Sequence, residues 1–255
     1  MGNIHLLTFM HQEYDKYTAD DFEVWQTLFE RQMKALPGKA TQEYLEGIKR
    51  VGFVADRIPN FEQVNEKLKA HTGWRIYVVP GLIPNKEFFE LMRDGNFCAT
   101  TWLRRKDQLD YLEEPDMFHD VFGHVPLLTN KPLCNFLVDL SKIALKYIES
   151  EVAIELIARL YWYTVEFGLI QEKEGLRIYG AGILSSSGET DYSLYSDIPQ
   201  RVPFDIQGIL DTPYIKDKFQ MKYFVIDSYE QLYSSVPEID KLVTKAVVEN
   251  KELVF

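Results

Sequence analysis

Cysteine is scarce in this chain: Cys98 and Cys134 are the only two in 255 residues. That number implies no disulfide framework and excludes a Cys-rich zinc site, and it fits a reducing, cytoplasmic setting. Positive charge is also short, with 28 Lys and Arg against 39 Asp and Glu for a net charge of −11, and no long basic stripe offsets it. Such a surface repels a phosphate backbone, so nucleic acid is not expected as a partner. A run of about 18 apolar residues, which a membrane-spanning helix requires, is missing. The N-terminus, MGNIHLLTFMHQEYDKY, lacks the basic-then-apolar order of a secretory signal. Membrane association is therefore not expected. Repeats, low-complexity tracts and Pro/Gly-rich linkers are absent, and with them any sign of a domain boundary. Walker loop, dinucleotide fingerprint, G-x-S-x-G elbow and HExxH motif are absent as well.

What is present is apolar and aromatic: 46% hydrophobic and 14% aromatic residues suffice for one sizeable core. One domain over residues 1–255 is expected, with residues 1–15 loose. TADDFEVWQTLFERQMKAL reads as an amphipathic helix entered at Thr18, and TQEYLEGIKRVG as one closing on Gly52. NFEQVNEKLKAHTG opens with Asn60 and Gln63 in capping-box spacing and closes on Gly73. WRIYVV and FCATTW read as short strands flanking the helix NKEFFELMRD. Two long helical stretches follow, KPLCNFLVDLSKIALKYI and SEVAIELIARLYWYTVEFGLI, then a Gly/Ser-rich loop YGAGILSSSGE, a strand KYFVID and a helix from Ser228. The fold class is mainly α with small β elements (α+β).

Within EEPDMFHDVFGHVPLL, two of the five histidines, His119 and His124, stand five positions apart. On an uninterrupted α-helix that spacing splays them by about 140°. Gly123 can end a helix in the left-handed conformation, and Pro126 discourages its continuation, so a helix that stops would let the second ring swing toward the first. Two imidazoles at a helix end are also favourable to its dipole, so the pair alone does not establish a metal site.

LYWYTVEFGLI contains a single charge, Glu166, among aromatic and apolar neighbours. A carboxylate buried there must be protonated, paired in a salt bridge, or bound to a metal. Two His and one carboxylate form the facial ligand set of non-haem Fe(II) oxygen chemistry, yet Zn(II) in a hydrolase uses the same ligands. The residues leave iron and zinc open.

EPDMFHDVFGHVPLL, YWYTVEFGL and YGAGILSSSGE together resemble the signature segments of the pterin-dependent aromatic amino acid hydroxylases, most closely the bacterial phenylalanine-hydroxylating branch. The resemblance runs from about Gly52 to Tyr233 in order. It implies a basket-like, mostly helical catalytic domain holding Fe(II) through His119, His124 and Glu166. A tetrahydropterin and O2 would be co-substrates in the conversion of L-phenylalanine to L-tyrosine. The electrons needed to reduce O2 would come in pairs from the pterin and the amino acid. Animal members add a regulatory domain and a tetramerisation helix, for which no counterpart is expected here, so a monomer or dimer is anticipated.

Residue by residue, the resemblance puts Arg104 at the substrate carboxylate, a task suited to a guanidinium fork, and Trp162 and Ser185 in the substrate pocket. Without it, the Arg104–Lys106 run would read as a solvated loop. Main-chain groups of Gly81, Leu82 and Ile83, the ring of Phe88, Asp120 and Tyr161 would face the pterin. Asp120 replaces a Glu, and Leu112 replaces a Thr near the substrate. Trp at position 162 favours phenylalanine over tryptophan, although a tryptophan hydroxylase is the alternative within the family.

Overall fold

The computed structural model describes residues 10–110 and 114–249. Its first helices begin and end where their capping chemistry dictates. Thr18 and Asp21 form a reciprocal capping box at the start of α1 (Ala19–Ala35), which buries Val24, Trp25, Leu28 and Phe29. Gly52 closes α2 (Gln42–Val51) at φ 75°, a left-handed value that glycine adopts without Cβ strain. The Asn60 side chain accepts from the Gln63 N–H at the start of α3 (Phe61–His71). Strands β1 (Arg75–Val78) and β2 (Asn96–Ala99) pair in parallel through the crossover helix α4 (Asn85–Arg93), so the turn leaving β1 carries Gly81 to Ile83.

The chain then enters a π-helical turn, Phe118–His124, followed by one 3-10 turn, Val125–Thr129, and the long helix α5 (Lys131–Lys146). Helix α6 (Glu151–Tyr161) runs directly into a second π turn, Trp162–Glu166. Beyond it come β3 (Leu169–Glu172), β4 (Gly175–Ile178), α7 (Ala181–Leu184), α8 (Glu189–Tyr195), β5 (Gln200–Pro203), α9 (Ile206–Leu210) and β6 (Lys222–Ile226). Helices α10 (Tyr229–Ser234) and α11 (Val236–Val248) complete the described chain. The four strands order as β4-β3-β6-β5, with β3 and β4 antiparallel and the other pairs parallel.

The mainly helical architecture agrees with the sequence reading, but three details differ. Leu169 and Ile170, expected to continue a helix, lie in β3. A Cβ on Gly168 would stand 2.1 Å from the Tyr179 ring and 2.3 Å from the Thr164 carbonyl, so the backbone turns there in space no side chain could share. YGAGILSSSGE is not wholly loop, because Ala181–Leu184 forms a helical turn. Of the first fifteen residues, expected to be loose, those from Met10 onward are described and tied down in part: Gln12 donates to the Pro59 carbonyl at 2.9 Å and the Tyr14 hydroxyl to the Ile58 carbonyl at 2.8 Å.

One continuous core extends from Val24 to Ala246 and includes Phe118, Val121 and Phe122 of the first π turn. Phe118 and Phe122 are fully buried and stack at 4.6 Å. Trp25 and Phe29 of α1 meet them edge-on at 5.5 and 5.6 Å, and the Tyr44 hydroxyl donates to the Phe122 carbonyl at 2.7 Å. This packing anchors one side of the turn, leaving its polar side chains to face the opposite way. Among the described residues, no helix is long and apolar enough to cross a membrane.

Candidate active site

The segment holding both histidines does not stop at Gly123, as the sequence suggested; it widens. Among the described residues, the glycines with left-handed φ are Gly38, Gly52, Gly73, Gly95 and Gly175, and Gly123 is not one of them. In a π turn the hydrogen bonds run from i to i+5, so residues five apart stack one turn above each other. The spacing of His119 and His124 is therefore that of the π turn. Gly123 serves a different purpose: a Cβ there would lie 3.0 Å from the Ala181 carbonyl, so its absence lets α7 pack close.

Glu166 ends the second π turn, closed by the Phe167 N–H donating to the Trp162 carbonyl at 2.9 Å. A Cβ on Gly180 would stand 2.4 Å from the Glu166 carbonyl, so the chain entering α7 presses against that turn. The result is a cluster of three. Ligand atoms of His119, His124 and Glu166 all lie within 4.8 Å of one another, a spacing one ion can bridge. His124 Nε2 is 3.2 Å from Glu166 Oε1, and His119 Nε2 is 3.5 Å from Oε2. Burial pushes the Glu166 carboxyl up, but His124 and then His119 outweigh it and hold it below its ordinary value.

Behind the ligands the rings are fixed. Ser185 Oγ donates its one proton to the Ala181 carbonyl at 2.9 Å, so it must accept from His119 Nδ1, also at 2.9 Å. His119 is thereby set as the Nδ1–H tautomer, with the Nε2 lone pair turned toward Glu166. The His124 ring lies against Phe97, centroids 4.7 Å apart. Three protein ligands, with sides left open to clefts, fit a catalytic ion better than a closed structural one.

Two clefts meet at this cluster. One, of about 420 Å³, is lined by Arg104, Trp162 and Ser185 together with His119 and Glu166. The other, of about 300 Å³, is lined by Gly81, Leu82, Ile83, Phe88, Asp120 and Tyr161 together with all three candidate ligands. The residues assigned to substrate thus line one cleft and those assigned to pterin the other, with Leu82 in both. Leu82 borders both clefts and is 87% exposed. Phe88 and Tyr161 meet edge-on at 6.0 Å. Asp120 accepts from the N–H and hydroxyl of Thr100 at 2.8 and 3.0 Å, and burial raises its carboxyl pKa despite the opposing pull of His119 and these donors. Leu112 lies outside the described residues.

Several participants carried no signal in the sequence. Arg104 is only 8% exposed, and its fork is held by Asp116: Nε and one terminal nitrogen donate to the two carboxylate oxygens at 2.9 and 2.8 Å. Asp116 is fully buried and also accepts from the His119 N–H at 3.1 Å, linking the arginine to the ligand turn. In the sequence it ends the run EEPD, which looks like a solvated loop. Gln220, which accepts from the Trp162 indole N–H at 3.0 Å, had no distinguishing neighbour at all. Arg31 of α1 lines the substrate-side cleft and donates to Asp110 and to the Leu109 carbonyl, both at 2.8 Å.

Residues 12–249 match the family model described as biopterin-dependent aromatic amino acid hydroxylase. The phenylalanine-4-hydroxylase of Chromobacterium violaceum is 52% identical over 224 residues, covering 88% of this chain and 75% of that protein. The phenylalanine-4-hydroxylase of Ralstonia nicotianae is 49% identical, covering 89% and 72%. The crystal structure of the Chromobacterium violaceum enzyme with bound iron(III) and the oxidised cofactor 7,8-dihydrobiopterin superimposes with a TM-score of 0.88 at 50% identity, covering 93% of this chain and 87% of that one.

Proposed function

This chain belongs to the biopterin-dependent aromatic amino acid hydroxylases, and from that premise we propose that it converts L-phenylalanine to L-tyrosine with Fe(II), a tetrahydropterin and O2. The observation that carries the reading is the meeting of the two clefts at one His/His/Glu cluster. A hydrolase needs one substrate and a water at its metal; this cluster borders two adjoining clefts that share His119 and Glu166. Neither a zinc hydrolase nor a tryptophan hydroxylase is favoured, since the compared relatives are phenylalanine hydroxylases.

Residues 10–249 act as one catalytic domain in this reading. His119, His124 and Glu166 would hold the iron. When bound, iron and reduced pterin supply the open coordination sites and the electron pair that O2 reduction requires. Together they would supply chemistry that leaves one oxygen atom of O2 on the amino acid ring and the other on the pterin. The protein itself orients and encloses. Ser185 keeps the His119 lone pair directed at the ion, and Asp116 holds the Arg104 fork ready for the substrate carboxylate. Trp162 bounds the space for the ring. On the other side, Phe88 offers a face for the flat pterin, and Asp120, held by Thr100, offers acceptors to the pterin's ring nitrogens, directly or through water. Both cysteines are free thiols, in keeping with a cytoplasmic enzyme.

The decisive assay supplies metal-free protein with Fe(II), a tetrahydropterin, phenylalanine and air, and scores tyrosine. Tyrosine formed with Fe(II) and not with Zn(II) is expected. No tyrosine, or equal activity with zinc, overturns the proposal.

A further inference from the structure

Trp162, the wall of the substrate-side cleft, is held on three sides. Phe167 and Tyr214 cover its faces at 4.7 and 4.8 Å between centroids, and the Gln220 side chain meets its indole N–H at 3.0 Å. Gln220 is only 2% exposed. Its Nε2 donates to the carbonyls of Ile215 and Lys218 at 2.8 and 3.3 Å, and its main-chain N–H donates to Glu189 Oε1 at 3.1 Å. Glu189 Oε1 accepts in addition from the Tyr223 hydroxyl at 2.6 Å.

The amide can sit only one way round. Reversed, its oxygen would face two carbonyls and its nitrogen an indole N–H, turning three bonds into three repulsions. Both ends of one side chain are therefore committed, one to the pocket wall and one to the segment Tyr214–Phe219. That segment supplies Tyr214 to the face of the indole and Lys216 to the lining of the cleft. Stacking fixes the plane of an aromatic ring but not its rotation within that plane; a hydrogen bond at the indole nitrogen does.

We infer that Gln220 is a positioning residue for substrate selectivity: through Trp162 and the Tyr214–Phe219 segment it sets the shape of the ring pocket that admits a single benzene ring and disfavours an indole. The inference rests on the proposed hydroxylase function. Gln220 touches neither metal ligand nor reacting atom, so it acts only through the wall it holds. A pocket fit of this kind is worth about 10- to 200-fold in discrimination.

The test is a double-mutant cycle with Gln220→Met, which keeps length and removes both hydrogen-bonding ends, and Trp162→Phe, which removes the indole N–H. Holoenzyme kcat/KM is measured for phenylalanine and tryptophan, with iron content and Tm followed in each variant. Gln220→Met should lower the phenylalanine preference about tenfold, through KM more than kcat, with iron content unchanged. In the Trp162→Phe background the same change should alter the preference less than about twofold. Equal effects in both backgrounds, or an unaltered preference in Gln220→Met, overturn the inference. Should Gln220→Met not fold, the unaltered protein supplies a second measurement. Its Trp162 indole N–H, identified as the NMR resonance lost in Trp162→Phe, should exchange with solvent at least about tenfold more slowly than that of the exposed Trp102. Fast exchange at Trp162 overturns the inference. A wild-type enzyme that makes no tyrosine overturns the functional reading and this inference together; wild-type activity with an additive cycle overturns the inference alone.

Discussion

The Ser185 hydroxyl stands 2.9 Å from His119 Nδ1 while giving its own proton to the Ala181 carbonyl, so a loop serine dictates which nitrogen of the ligand is free. Groups behind a metal ligand commonly carry about 10- to 100-fold in metal affinity or activity. Ser185→Ala should weaken Fe(II) binding by that order while leaving the fold intact, as titration with a competing chelator would reveal. Ser185→Thr keeps the hydroxyl and should restore most of the affinity. Equal iron affinity in Ser185→Ala and wild type would disprove the role.

The ligand cluster makes a sharper demand. His119→Ala, His124→Ala and Glu166→Ala should each lose iron and tyrosine formation together, with far-UV circular dichroism preserved, because the first π turn is pinned by Phe118, Phe122 and their neighbours and the second by the chain entering α7, rather than by the metal. A purified variant that retains full activity removes that residue from the centre.

The buried pair of Arg104 and Asp116 ties binding to stability, since removing either partner strands the other's buried charge at about 3 to 5 kcal/mol. Arg104→Ala should raise the phenylalanine KM about 10- to 100-fold, the size of a lost charge-assisted hydrogen bond, with iron content retained. Arg105, exposed and paired with Asp107, is the control, and Arg105→Ala should change little. Asp116→Ala strands a buried guanidinium and should cost about 3 to 5 kcal/mol of stability besides raising KM. A larger KM effect from Arg105→Ala than from Arg104→Ala would mean the wrong arginine has been assigned.

Glu189 provides a pH test independent of the chemistry. Burial pushes its carboxyl from 4.5 up to about 6, against the pull of the Tyr223 hydroxyl and the Gln220 N–H. The folded protein thus holds this proton to higher pH than the unfolded chain does. Stability from this group is full below pH 4.5 and declines as pH rises toward 6. The loss amounts to about 2 kcal/mol. Denaturant titrations of wild type and Glu189→Gln across that window should show wild type losing ground to the variant as pH rises; a difference that stays constant with pH contradicts the assignment.

How far the sequence spoke for itself depended on the range of the interaction concerned. Thr18, Gly52 and Asn60 act on their own helix ends, and their helices lie where the capping pattern put them. The unusual residues His119, His124 and Glu166 could be singled out because charge and imidazole are conspicuous in apolar surroundings. The β3-β6 and β5-β6 pairings join segments distant in sequence, so Leu169 and Ile170 looked helical beside α6. Asp116 and Gln220 escaped notice for the same reason: each is ordinary in its own stretch and acquires meaning only from what the fold places beside it. The widened turns leave no mark on a pattern read at a constant 3.6 residues per turn.

Those turns make the metal centre sensitive to residue count as well as residue type. Deleting one residue between His119 and His124 would put the two imidazoles four apart, the spacing of an ordinary α-turn, with every ligand still encoded but the chain after the turn drawn back by one position from its contacts with Glu166 and Ala181. Inserting one would rotate His124 away from Glu166. For this site, then, a one-residue change of length is as severe as the loss of a ligand, and substitution scans that keep length constant will never see it.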